Sequence, residues 1–137
     1  EDGLRVIKML IPDLISSTGQ VYELCERDCG HPQYTMNAFT YAAEIARIQS
    51  DLSLYEADSR RILPGYEWIL KAFSGEVDCR DCAGSYVEPG LEVALNYYRN
   101  NASSALLRFA ANLRPFAYYR SELFLSFTTL THYREQW

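Results

Sequence analysis

Histidine and lysine are scarce in this 137-residue chain: it has two histidines, and eleven of its thirteen basic residues are arginine. With His31 and His132 as the only imidazoles, acid–base mechanisms are restricted, and neither H-x3-H nor H-E-x-x-H occurs. A glycine-rich phosphate cradle and a G-x-S-x-G nucleophile turn are also missing, so motifs of these kinds point to no enzyme class and no cofactor. Positive charge is short as well. At a net charge of -5, with Arg60-Arg61 the one adjacent basic pair, the chain is poorly suited to displacing counterions from phosphate backbones, which argues against a nucleic-acid partner. Long apolar runs are absent: the greasiest stretch, FAYYRSELFLSF, is broken by Arg120 and Glu122 and is too short to cross a bilayer. No signal-peptide or transit pattern is expected among these residues. There is no Asn-Gly hairpin signal and no internal repeat.

What is present suits a folded helical chain. Hydrophobic residues make up 48% and charged residues 23%, enough to build one core in a single domain over residues 1–137. Leu4, Ile7, Ile11, Leu14, Thr18, Val21 and Cys25 recur three and four apart, the stripe of a first helix restarting or kinking at Pro12 and stopped by Gly30 and Pro32. Tyr41, Ile45, Ile48, Leu52 and Tyr55 form a second stripe, with Glu44, Arg47 and Asp51 off it. This predicts a helix of about two dozen residues, roughly 35 Å long, with that stripe facing the core. Pro64 fits the first turn of a third helix that Gly75 stops, and residues 76–90 form the longest loop. Leu91, Ala94, Leu95 and Tyr98 give another helical face, Ser103 or Ser104 can cap the next helix, and a last helix is expected from Pro115. The expectation is an all-α bundle of five or six helices.

All four cysteines lie in two short stretches, CERDCGH at 25–31 and CRDC at 79–82. Three chemistries suit them. Cys25, Cys29, Cys79 and Cys82 could ligate zinc as C-x3-C plus C-x2-C, with His31 able to replace one thiolate. They could instead crosslink, each member of the first pair joining one of the second, which would staple the mid-chain loop to the end of the first segment. Two disulfides are the favoured expectation, and with the sequon Asn101-Ala102-Ser103, which would place a glycan on Asn101, they imply an extracellular or lumenal home. The third chemistry is redox. In a helical chain, Cys79-Arg80-Asp81-Cys82 resembles the C-x-x-C of flavin-dependent thiol oxidases. The resemblance implies a flavin facing Cys79 and Cys82, with Cys25 and Cys29 as a shuttle pair. The histidine- and asparagine-rich flavin segment of that family has no counterpart, since NYYRNN at 96–101 contains no histidine.

Aromatics are plentiful at 14%, with doublets at Tyr97-Tyr98 and Tyr118-Tyr119, and on a helix one member of each doublet should face the core while the other is partly exposed. Exposed tyrosine and arginine favour protein interfaces. Tyr97, Arg99, Tyr118, Arg120 and Trp137 are therefore the candidate contacts of a non-enzymatic module that binds a protein partner, self-associates or holds an assembly together. A carrier of small apolar ligands is a variant of that reading, because helical bundles can enclose a pocket.

Overall fold

The computed structural model describes residues 2–79, 82, 85–116 and 128–133. Six right-handed helices account for the regular structure: α1 (Asp2–Leu14), α2 (His31–Ile48), α4 (Ile62–Ser74), α5 (Gly90–Tyr98), α6 (Ser104–Leu113) and α7 (Thr128–His132). Between α2 and α4 lies α3 (Ala57–Arg60), a single turn whose Asp58 and Ser59 take left-handed backbone angles and whose Asp58 pairs with Arg61. Among the described residues there is no strand, only isolated bridges between Ile15 and Val21 and between Leu24 and Asp28. The two cysteine stretches are joined by two disulfides, so the chain is an all-α fold with a double staple.

The first helix ends sooner than its stripe implies. Leu14 is its last residue, and Pro12 sits in the final turn without a restart. The stop comes from Ser16-Ser17-Thr18-Gly19. Ser16 Oγ accepts from the Gln20 amide at 3.0 Å, and Ser16 N donates to the Gln20 carbonyl, so local polar pairing replaces the helical ladder. Gly19 then takes φ +91° against the Pro64 carbonyl, where no Cβ would fit. Val21 and Cys25 consequently lie on a chain of turns, and Cys25 itself has φ +71°.

Pro32 opens a helix instead of closing one. Its missing N–H costs nothing in the first turn of α2, where the Asp28 carboxylate accepts from the Gly30 and His31 amides at 2.8 and 2.7 Å. The 18 residues of α2 span about 27 Å, shorter than the periodicity suggests, because the chain turns at Gln49 and Ser50 before Leu52 and Tyr55. Gly75 caps α4 in the left-handed region at φ +76°, and Ser103 caps α6 by accepting from Leu106 N at 3.0 Å.

Nine-residue α5 is the centre of the fold. It packs against α2, α4, α6 and α7, and Gly90 through Leu95 and Tyr98 are all buried. A helix covered on several sides must be apolar nearly all round, and GLEVAL is, apart from Glu92, whose carboxylate accepts from Arg114 Nε at 3.0 Å. Ile11, Met36, Tyr55, Ile62, Ile69 and Leu106 complete the core around it. Of the helix expected from Pro115, only Thr128–His132 is seen as helix; Pro115 and Phe116 are not helical, and residues 117–127 lie outside the described set.

Candidate functional site

The orientation of α2 is the finding with functional weight. The middle of its most regular apolar stripe does not face the core, although Tyr55 at the far end of the stripe is fully buried as expected. Ile45 is 59% exposed and Ile48 71%, and Leu52 beyond the helix end is 46% exposed. Tyr41 is half-buried on the same side. The inward face carries Met36, Phe39, Ala43 and Ala46 together with four polar residues, Gln33, Asn37, Thr40 and Glu44, all buried and spaced four, three and four apart.

That inversion is stable because each inward polar group has a partner, which is the condition for burying it. Gln33 Nε2 donates to the Cys29 carbonyl at 2.7 Å and to the Tyr86 carbonyl at 3.0 Å, while its Oε1 accepts from Glu88 N at 2.9 Å. Asn37 Oδ1 accepts from Gly90 N at 3.0 Å, and its Nδ2 donates to Glu88 Oε2 at 3.2 Å. Thr40 and Tyr66 share a hydroxyl hydrogen bond of 2.9 Å. Glu44 takes two bonds from Arg47, at 2.8 and 2.6 Å, and a third from the Tyr55 hydroxyl at 3.0 Å, and its Oε1 lies 3.6 Å from His132 Nε2. Burial alone would push the Glu44 carboxyl up; the hydrogen bonds from Arg47, His132 and Tyr55 outweigh it and bring the pKa down to about 2. This ladder ties α2 to the loop before α5, to α4, to the segment after α2 and to α7.

At the N-terminal end of α2 the ladder meets the staple. Cys25 is bonded to Cys79 and Cys29 to Cys82, with Cα separations of 4.5 and 5.0 Å. The C-x-x-C cysteines are not bonded to each other, although the Cys79 and Cys82 sulfurs are 3.0 Å apart. Cys29, Cys79 and Cys82 are buried and Cys25 is half-buried. The chain-turn geometry aims the cysteines across the gap, a role no helical stripe plays here. His31, an alternative ligand by spacing, begins α2 with an exposed ring whose Nδ1 is 2.7 Å from Asp28 Oδ2.

The aromatic candidates fall elsewhere. Tyr97 and Arg99 end α5: the Tyr97 ring stacks on Tyr55 at 4.2 Å with its hydroxyl bonded to Glu56, and the Arg99 guanidinium is 5.5 Å from the Tyr133 ring centre. Burial and the neighbouring Glu56 push the Tyr97 hydroxyl up to about 12. Its neighbour Tyr98 is fully buried, as expected for one member of an adjacent pair. Tyr118, Arg120 and Trp137 lie outside the described residues. Asn101 is exposed on the turn before α6, beside an open cleft of ≈ 300 Å³ walled by Leu63, Pro64 and Trp68. No helix is long and apolar enough to cross a membrane among the described residues.

Apolar spacing predicts Ile45 and Ile48 in the core, and the structure turns both outward. The available signal was the second stripe at the same spacing, Gln33, Asn37, Thr40 and Glu44, competing for the interior. No protein-family model, curated protein or solved structure matches the chain.

Proposed function

We propose that this chain is a disulfide-stabilised helical module of an extracellular or lumenal compartment, and that it binds a partner protein by docking an amphipathic helix along the outer face of α2. The observation that carries the proposal is the exposed series Ile45, Ile48 and Leu52, with half-buried Tyr41 at its edge. Residues three and four apart make the seam on which one helix packs against another, and an exposed apolar patch of this kind on a folded surface marks a binding site. Neighbouring α1 packs against α2 and carries exposed Val6, Met9 and Leu10 of its own. Two disulfides, with three of their four cysteines buried, support the oxidising compartment, where such bonds persist. In that compartment Asn101 is the glycan acceptor, exposed as an acceptor must be.

The decisive experiment places a photo-crosslinking residue at Ile48 and, as a control, at exposed Arg108 on α6, in the chain's native secretory setting. A discrete adduct from position 48, absent from position 108 and lost in the I45D/I48D variant, supports the docking face. That variant should melt at the wild-type temperature, because neither side chain is in the core. Equal labelling from both positions, or none from position 48, refutes it. An adduct of twice the chain mass identifies the docked helix as a second copy.

A further inference from the structure

The four sulfurs occupy one small volume, and the contact between the two disulfides is as informative as the bonds. Cys29, Cys79 and Cys82 place their sulfurs within 4.8 Å of one another, and the Cys25 sulfur is attached to that of Cys79. Zinc held by four thiolates has Zn–S bonds of about 2.3 Å, so its sulfurs stand roughly 3.8 Å apart at the corners of a tetrahedron. The sulfurs here already lie within such a sphere and would have to spread by only about an ångström or two to surround an ion.

The supply pattern also fits. Two close pairs, C-x3-C and C-x2-C, come from two separate segments, each bent by local turns: Arg27 N bonds to the Glu23 carbonyl before Cys29, and Cys82 N to the Cys79 carbonyl at 3.1 Å. What holds the segments together is not covalent alone. The buried amide of Gln33 joins the Cys29 carbonyl to the Tyr86 carbonyl and the Glu88 amide, a noncovalent link between the end of the first cysteine stretch and the loop that follows the second.

We propose that the same four cysteines, once reduced, form a tetrathiolate site for one zinc ion, giving the staple an oxidised covalent form and a reduced metal-held form. In the conversion the Cys25–Cys79 and Cys29–Cys82 bonds break. Each takes two electrons from a small-molecule thiol, which also supplies two protons and becomes its own disulfide, or from a phosphine, which becomes the phosphine oxide while water supplies the oxygen and the two protons. The four resulting thiols then lose four protons to solvent as four zinc–sulfur bonds form. The site is remote in character from the outer face of α2 and does not depend on partner docking.

The test uses the full chain, reduced with a phosphine under anaerobic conditions and titrated with cobalt(II) and then zinc. Thiolate-to-cobalt charge-transfer absorption with tetrahedral ligand-field bands, saturating at one equivalent and displaced by zinc, is the expected result, with far-UV circular dichroism kept or restored by the metal. The oxidised chain should give no such bands. C25S and C82S should each weaken zinc binding by on the order of 100-fold or more, with an altered cobalt spectrum. Absence of saturable cobalt–thiolate absorption, or binding unchanged in either variant, overturns the proposal. If the reduced chain unfolds, failure of zinc to restore its helicity overturns it equally. The crosslinking result at Ile48 stands or falls separately, since it is read on the oxidised chain.

Discussion

Replacing Glu44 by glutamine tests the buried polar ladder at its most charged rung. Glu44 is 6% exposed and holds Arg47, itself 85% covered, through two hydrogen bonds, with Tyr55 and His132 on the remaining lone pairs. Its carboxyl falls from an ordinary value of 4.5 to about 2 in the folded chain. A depressed carboxyl stabilises the fold fully above its unfolded value and loses that contribution as pH falls through the folded one, so the window runs from about 4.5 down to about 2. The gap corresponds to about 3 kcal/mol, most of which should survive because the group is buried. At neutral pH, E44Q leaves Arg47 without its counter-charge, and the expected cost is about 3 to 5 kcal/mol. Urea unfolding followed by far-UV circular dichroism, with disulfides intact, measures both quantities between about pH 7 and pH 2. The wild-type advantage over E44Q should shrink by about 3 kcal/mol across the acid window. Subtracting the two curves removes the carboxylates Asp28, Asp51 and Glu56, which are also lowered but present in both proteins. Parallel curves, or a neutral-pH loss below about 1 kcal/mol, would refute the claim that Glu44 is a charged structural post.

Two further outcomes follow from packing and crosslinking. The two disulfides span 54 and 53 residues, so the first to form closes a long loop worth about 4 kcal/mol, whereas the second closes only the short ring between the bridges, worth about 2. Removing either pair to alanine should therefore cost about 2 kcal/mol and removing both roughly 6, and a double loss equal to the sum of the two single losses in chemical denaturation would contradict that nesting. G90A should lose about 1 to 3 kcal/mol in a thermal melt, because the new methyl would press into the Asn37 amide and lie 2.8 Å from the Tyr66 hydroxyl; a neutral result would mean the α2–α5 contact is looser than described.

Local punctuation was legible in the sequence. Gly75 and Ser103 mark helix ends through backbone angles and caps that only neighbouring residues decide, and the loop at 76–90 announced itself by composition. Cross-pairing of the cysteine stretches follows from their clustering, but which cysteine meets which depends on the turns at 21–29, which an apolar stripe running through Thr18 conceals although Ser16-Ser17-Thr18-Gly19 acts as a stop. The facing of α2 was misassigned for a deeper reason. Apolar periodicity ranks isoleucine above glutamine as a core residue, and only tertiary partners, Tyr66, Glu88 and Gly90 among them, make Gln33, Asn37 and Thr40 the better interior choice.

The same ladder keeps α2 from rolling over. Turning Ile45 and Ile48 inward would recover at most about 2 kcal/mol for each side chain. It would also strip four hydrogen-bonded groups of their addressed acceptors and donors, at about 1 to 3 kcal/mol apiece and more for the charged one. The greasy side is thus pinned toward water, held ready by chemistry on the opposite side of the same helix.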